Sequence, residues 1–316
     1  MNLPVARLSA ALLLAAATFL PSTANAFCRT WSCDPTKETC PADPGNPACA
    51  GGDPVRHRPL YWPQRCIGFS LNQAASAQLD SNPDRARAKF ARVADLAFAT
   101  WQKADCGGKR PSLAFYNLGF IECDRQEFNG YNPSNEARPT AQGNANLIMF
   151  RDRWPAEYQN AGNALALTTL TFNVQSGEIY DADIEINGEV SVSTSDVVVT
   201  NDLQSILTHE IGHFLGIAHS PDELATMFAT YQPGTLGFRD LSPDDVNAVC
   251  SIYIPERTGL PSCDPTPRHG YGEKCAVPAP LPDGCSVTRV TPTASAPAAA
   301  LAVLALALRW RRRKSS

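Results

Sequence analysis

Between residues 208 and 220 the chain reads Thr-His-Glu-Ile-Gly-His-Phe-Leu-Gly-Ile-Ala-His-Ser, and that pattern restricts the fold more than any other stretch. Two histidines four apart on a helix, His209 and His213, project from one face about one turn apart. That spacing lets both imidazoles reach one tetrahedral zinc at about 2 Å each. Glu210 lies about 100° around the helix from His209, close enough to touch a water at such a metal without being a ligand. Gly216 can end the helix in a left-handed conformation. The chain then turns back and offers His219 as a third nitrogen. Three protein ligands leave one position open for water, the arrangement of a catalytic rather than a structural zinc. Only five histidines occur in the chain, and three of them fall in this motif.

The helix that carries the motif needs a buried face. Leu203, Ile206, Leu207, Ile211, Phe214 and Leu215 supply it, with Asn201 or Asp202 as the cap. Glu210 projects onto the flank of that stripe, where an uncompensated carboxylate is costly. A bound cation and a hydrogen bond to water would compensate it.

The full pattern His209-Glu210-x-x-His213-x-x-Gly216-x-x-His219, followed by Met227, resembles the metzincin metalloproteases and their Met-turn. Within them it is most similar to the matrixin branch. Ser220 follows the third histidine, residues 227–231 look like the matrixin Met-Tyr-Pro-x-Tyr segment, and residues 241–246 resemble its Leu-x-x-Asp-Asp-Ile helix start. Position 229 is alanine where astacins and serralysins carry tyrosine, so a tyrosine-assisted mechanism is not expected. The resemblance spans roughly residues 59–256 and is strongest over 200–253. It implies an α+β metzincin fold: a twisted, mainly parallel sheet with an antiparallel edge strand, an active-site helix, and a small C-terminal subdomain holding the Met-turn and a helix. It implies a zinc endopeptidase with His209, His213 and His219 on the metal, Glu210 as general base, and Met227 as the apolar floor. Residues 228–240, including Tyr231, would form the wall of the pocket for the side chain after the scissile bond, with a core role for Tyr231 as the other reading. The strand over residues 164–169, including Ala166 and Leu167, would edge the cleft and pair with extended protein or peptide substrates by β-augmentation, or be an ordinary edge.

Other parts of the family pattern are altered or missing. No helical propeptide with a Pro-Arg-Cys-Gly switch is evident. Residues 63–68 are a partial look-alike that runs straight into a strand, so Cys66 reads as a disulfide partner. Matrixins hold a second, structural zinc through loop histidines, yet no histidine lies between His57 and His209. They also bind calcium. Asp181 and Asp183, alternating along one strand face, are candidates for calcium, with a solvated strand face as the other reading.

Along the chain, Arg7, an apolar run over 8–20 and Ala24-Asn25-Ala26 read as a signal peptide over residues 1–26, cut by signal peptidase before Phe27. Eleven cysteines agree with an oxidising, secreted or cell-surface destination. Residues 27–58, rich in Cys, Pro, Gly and Asp, form a leader that depends on disulfides, zinc being the alternative for its four thiols. In the catalytic region, residues 66–71 alternate like a half-buried strand. Residues 83–103 carry a helical stripe at Phe90, Val93, Ala94, Ala97 and Trp101. Trp101 reads as core, or else as a ligand platform. Further strands are expected near 113–116, 146–150, 162–173 and 178–187, with a polar surface loop over 129–143.

Ser242, Pro243, Asp244 and Asp245 read as a helix start. The resemblance also makes Asp245 a support for the Met-turn, and Cys250 in that helix is expected to be bridged. Residues 257–284 are Pro-rich and read as a linker, with Cys263 and Cys275 closing a local loop. Residues 285–316 combine Gly284-Cys285, a short apolar run and a terminal Arg cluster. This order resembles the MYXO-CTERM sorting tail, implying transient membrane association and cleavage by a C-terminal sorting protease. A plain anchor is the alternative.

Residues 1–26 and those after Cys285 hold seven of the 27 basic residues and none of the 31 acidic ones. The part between them carries 20 basic against 31 acidic residues, a charge of −11, which argues against nucleic-acid binding. A surface binding or adhesion module that keeps zinc without turnover is the competing function.

Overall fold

The computed structural model describes residues 27–32, 57–122, 145–155 and 164–267. The segments expected to be a signal peptide, most of a leader, a loop over 129–143 and a sorting tail lie outside these described residues. All described residues belong to one of two compact units, Met1–Val277. Its elements in chain order are β1 Cys28–Arg29, β2 Cys66–Asn72, α1 Pro83–Gln102, β3 Ala114–Ile121, β4 Leu147–Arg151, β5 Ala166–Phe172, β6 Ile179–Asn187, β7 Val192–Ser193, β8 Asn201–Asp202, α2 Leu203–Phe214, β9 Ile217–Ala218 and α3 Pro243–Ile252.

The main sheet has the order β3-β2-β4-β6-β5. β2, β3, β4 and β6 run parallel, and β5 is an antiparallel edge joined to β6. The expected α+β architecture, mainly parallel with one antiparallel edge, is therefore observed. β2 differs from expectation. Its first six residues are all buried, because it lies between β3 and β4, and parallel strands inside a sheet are covered on both faces.

α1 starts where the side chain of Asn82 accepts from the backbone N–H groups of Asp84 and Arg85, with Pro83 in the first turn. Its expected stripe is buried together with Phe98. Trp101 is core: it is fully buried, and its Nε1 donates to the carbonyl of Thr208 at 2.8 Å, tying α1 to α2. An aromatic chain continues the core. Phe98 stacks on Phe69 at 4.0 Å and meets Phe214 edge-on at 5.5 Å, and Phe214 packs on Trp62 at 5.3 Å.

β6 overturns the solvated-face reading of its acids. All nine of its residues are buried, because β4 and β5 flank it within the layered core. Burial is tolerated because the acids are engaged: Glu185 pairs with Arg151, and Asp183 Oδ1 accepts from the Leu147 N–H at 2.8 Å. Asp183 also shares a carboxyl–carboxyl hydrogen bond with Asp181. Loss of hydration and then the neighbouring Asp181 charge raise the Asp183 carboxyl well above the usual range.

Two segments read as peripheral are built into this unit. Residues 27–32, at the start of the leader, pair through β1 with β9, and Thr30 N–H donates to Gly216 O at 3.0 Å. At the other end Cys263 bonds to Cys66, 197 residues away, so a local Cys263–Cys275 loop does not form. The Pro-rich segment reaches Cys66 because β2 carries a glycine where it passes: a Cβ on Gly68 would stand 2.1 Å from Pro265 O. Arg257 adds a hydrogen bond to Pro63 O at 2.9 Å. Cys250 is bridged as expected, to Cys106.

Candidate metal centre

α2 is aimed by its N-terminus. Asp202 is the cap, its Oδ2 accepting from Ser205 N–H at 2.9 Å. The same buried carboxylate receives a two-pronged contact from Arg239, Nε to Oδ2 at 2.8 Å and Nη2 to Oδ1 at 2.6 Å. The Asp202 N–H donates to Tyr231 Oη at 3.0 Å, and Tyr231 in turn donates to Thr235 O at 2.7 Å. Residues 231–239 are thus fastened to the start of the helix they must stand beside.

At the other end Gly216 has φ +82°. Its N–H donates to His213 O at 2.8 Å, and a Cβ there would lie 2.5 Å from Leu60 O. Only glycine fits both constraints. The chain reverses into β9, and His219 returns to the helix. His213 Nε2 and His219 Nε2 are 3.1 Å apart, and ligand atoms of His209, His213 and His219 all lie within 4.8 Å of one another. His209 Nδ1 lies 2.7 Å from Thr226 O, and His213 Nδ1 lies 2.9 Å from Ile217 O. Carbonyls only accept, so each Nδ1 carries its proton and each Nε2 offers a lone pair.

These residues fit a zinc ion. Two ligands at tetrahedral angles and bonds of about 2.05 Å stand about 3.3 Å apart, close to the spacing of His213 and His219. Among the described residues this trio is the group of three or more His, Cys, Asp or Glu side chains able to hold a metal. Among the described residues, Asp181 and Asp183 are not joined by a third His, Cys, Asp or Glu side chain in such a group.

Glu210 is buried, with 7% of its surface exposed. Its Oε2 accepts from Thr168 Oγ1 at 2.6 Å. Burial raises the carboxyl to about 7, partly countered by the Thr168 hydrogen bond and by His219. Met227 is 1% exposed and packs against Gly212 of α2. Asp245 holds the turn that carries it: the carboxylate accepts from Thr226 N at 2.7 Å, Met227 N at 3.1 Å and Ser242 N at 2.8 Å. Ser242 and Asp245 form a capping box at the start of α3. Asp244 accepts from Ser220 Oγ at 2.6 Å.

Residues 148–254, which hold all of these groups, match the family model described as Matrixin. This part of the chain is matrixin-like. Metalloendoproteinase 1-MMP of Arabidopsis thaliana is 42% identical over 77 residues, 24% of this chain and 18% of the relative. Metalloendoproteinase 1 of Glycine max is 36% identical over 74 residues, 23% of this chain and 24% of the relative. Matrix metalloproteinase-20 of Homo sapiens is 38% identical over 71 residues, 22% and 14% of the two chains. The chain thus spans about a quarter or less of the length of these relatives.

In the matrixin-like site the residues expected from sequence are brought together: the three histidines, Glu210, Gly216, Met227 and Asp245. Ala166 and Leu167 lie at the start of edge strand β5. Tyr231 is half-buried and meets Phe238 edge-on at 5.7 Å, and Phe238 lies parallel to the His209 ring at 5.9 Å. Sequence reasoning missed Gly212, Thr168, Arg239 and Phe238. Gly212 left a trace, a glycine inside a helix, which costs about 1 kcal/mol against alanine and calls for a packing reason. Thr168 left none, since 42 residues separate it from Glu210.

Proposed function

We propose that this protein is a zinc-dependent endopeptidase. One observation carries the reading: three imidazoles converge on a single point beside a buried carboxylate. His209, His213 and His219 would hold the ion. When bound there, zinc would supply Lewis acidity toward the scissile carbonyl and toward water. Glu210 takes the proton of the attacking water and passes it to the leaving amine, a role suited to a carboxyl raised toward neutral pH. The open edge of β5, at Ala166 and Leu167, receives an extended peptide backbone. Tyr231, held by Thr235 and Asp202, lines the pocket for the side chain after the scissile bond. Met227 closes the floor.

The substrates are proteins or peptides. Export fits the A-x-A sequence before Phe27 and the cysteine content, and the Cys66–Cys263 and Cys106–Cys250 disulfides agree with an oxidising compartment. The order of features after Cys285 supports surface sorting. Intact mass and N-terminal sequence of the exported protein test both processing steps. A silent zinc-holding module has no need of a buried carboxylate beside the trio, so turnover is the preferred reading.

The test is hydrolysis of a mixed peptide library by the purified exported protein, with and without a zinc chelator and with Glu210→Ala as control. Chelator-sensitive cleavage that the variant lacks supports the endopeptidase. Equal product from both proteins, or none despite one zinc per chain, rejects it.

A further inference from the structure

Among the described residues β5 is paired on one side only, with β6. Strand alternation sends Thr168 to the face opposite that of Leu167 and Thr169, and Thr168 reaches α2. Its Oγ1 stands 2.6 Å from Glu210 Oε2 and 3.1 Å from the Glu210 carbonyl oxygen. The hydroxyl has one proton, and the shorter contact is the charge-assisted one.

We infer that Thr168 is a positioning residue for Glu210, holding its carboxylate through Oε2 from the edge strand that receives the substrate. This rests on the reading of Glu210 as general base. A glutamate side chain has three torsions, and the base must sit within hydrogen-bond reach of its water. A donor on a β-branched residue with few rotamers removes much of that freedom. One oxygen is engaged by Thr168, leaving the other to accept the proton. The contact also joins two events: a peptide backbone added to β5 orders the strand that carries Thr168, and Thr168 orders the base. Proton transfer is thereby favoured when the edge is occupied.

The test uses the exported full chain as wild type, Thr168→Val, Thr168→Ser and Glu210→Ala. Valine keeps the β-branched shape and the strand preference and replaces the hydroxyl by a methyl group that cannot donate. Three quantities are read: zinc per chain, kcat and KM separately on one cleaved peptide, and the carbon-13 shift of the Glu210 carboxyl in metal-free protein. The expected result for Thr168→Val is full zinc content, kcat lowered about tenfold with KM within about twofold, and a displaced carboxyl signal. Thr168→Ser restores both kcat and the signal. Wild-type kcat in Thr168→Val, a loss confined to KM, no rescue by serine, or an unmoved carboxyl signal overturns the inference. If wild type cleaves no faster than Glu210→Ala, the endopeptidase reading has failed. The carboxyl signal then decides by itself whether Thr168 holds Glu210.

Discussion

Met227 Sδ lies 2.0 Å from the point where a β-carbon on Gly212 would stand. The same point is 2.9 Å from Cζ2 of Trp101. Met227, the last turn of α2 and the core of α1 therefore meet at a missing side chain. Two opposing effects act on Gly212→Ala. Helix propensity favours alanine by about 1 kcal/mol, and overpacking costs about 1–3 kcal/mol. With two non-hydrogen atoms of Met227 and the indole of Trp101 in the way, packing wins. We expect Gly212→Ala to lower the thermal midpoint and weaken zinc retention against a chelator. A more stable variant with unchanged retention would refute this.

Asp245 is the acceptor on which the Met-turn rests. Its carboxylate serves three backbone N–H groups, those of Thr226, Met227 and Ser242. Asp245→Ala leaves all three without that acceptor, at about 1–3 kcal/mol for each donor that stays buried. Thr226 O, which orients His209, belongs to the same turn. The variant should lose stability in urea and also release zinc faster than wild type. Lost stability with unchanged release would separate the turn from the ligand.

Glu210 makes the metal-free protein pH-sensitive. Its carboxyl is raised by burial from an ordinary 4.5 to about 7. Below pH 4.5 it is protonated in both folded and unfolded chains and contributes no pH dependence. Between 4.5 and 7 the unfolded chain ionises first, so stability falls as pH rises, by about 3 kcal/mol in all. Glu210→Gln removes this slope. Urea unfolding of both chelated proteins at about pH 5 and about pH 8, on either side of the raised value, should find glutamine the more stable partner by a margin that widens toward the alkaline end. A constant margin would contradict the assignment.

The Cys106–Cys250 bridge joins the loop after α1 to α3 across 144 residues. Closing a loop of that size stabilises the fold by about 5 kcal/mol in the chain-entropy picture, an upper figure for a real protein. Paired Cys106→Ser and Cys250→Ser substitutions should lower the unfolding midpoint strongly. Because the bridge lies outside the histidine trio, zinc stoichiometry of whatever remains folded should stay at the wild-type value. Calorimetry and metal analysis check the two parts.

The metal site is legible in the amino-acid sequence because it depends on spacing. A helix carries His209 and His213 to one face by its own geometry. A glycine at 216 permits the reversal that returns His219, and Ser242 with Asp245 writes a helix start into adjacent residues. The core stripe of α1 is readable for the same reason. Contacts between distant segments are not. Nothing local says that β6 is covered on both faces, so Asp181, Asp183 and Glu185 look equally suited to solvent. Spacing alone does not pair Cys66 with Cys263, since that bond depends on Pro265 passing over Gly68. Thr168 meets Glu210, and Arg239 meets Asp202, only once sheet and helix have packed. Local periodicity specifies which side chains share a face. Which faces meet, and which buried charges find partners there, is decided by tertiary packing.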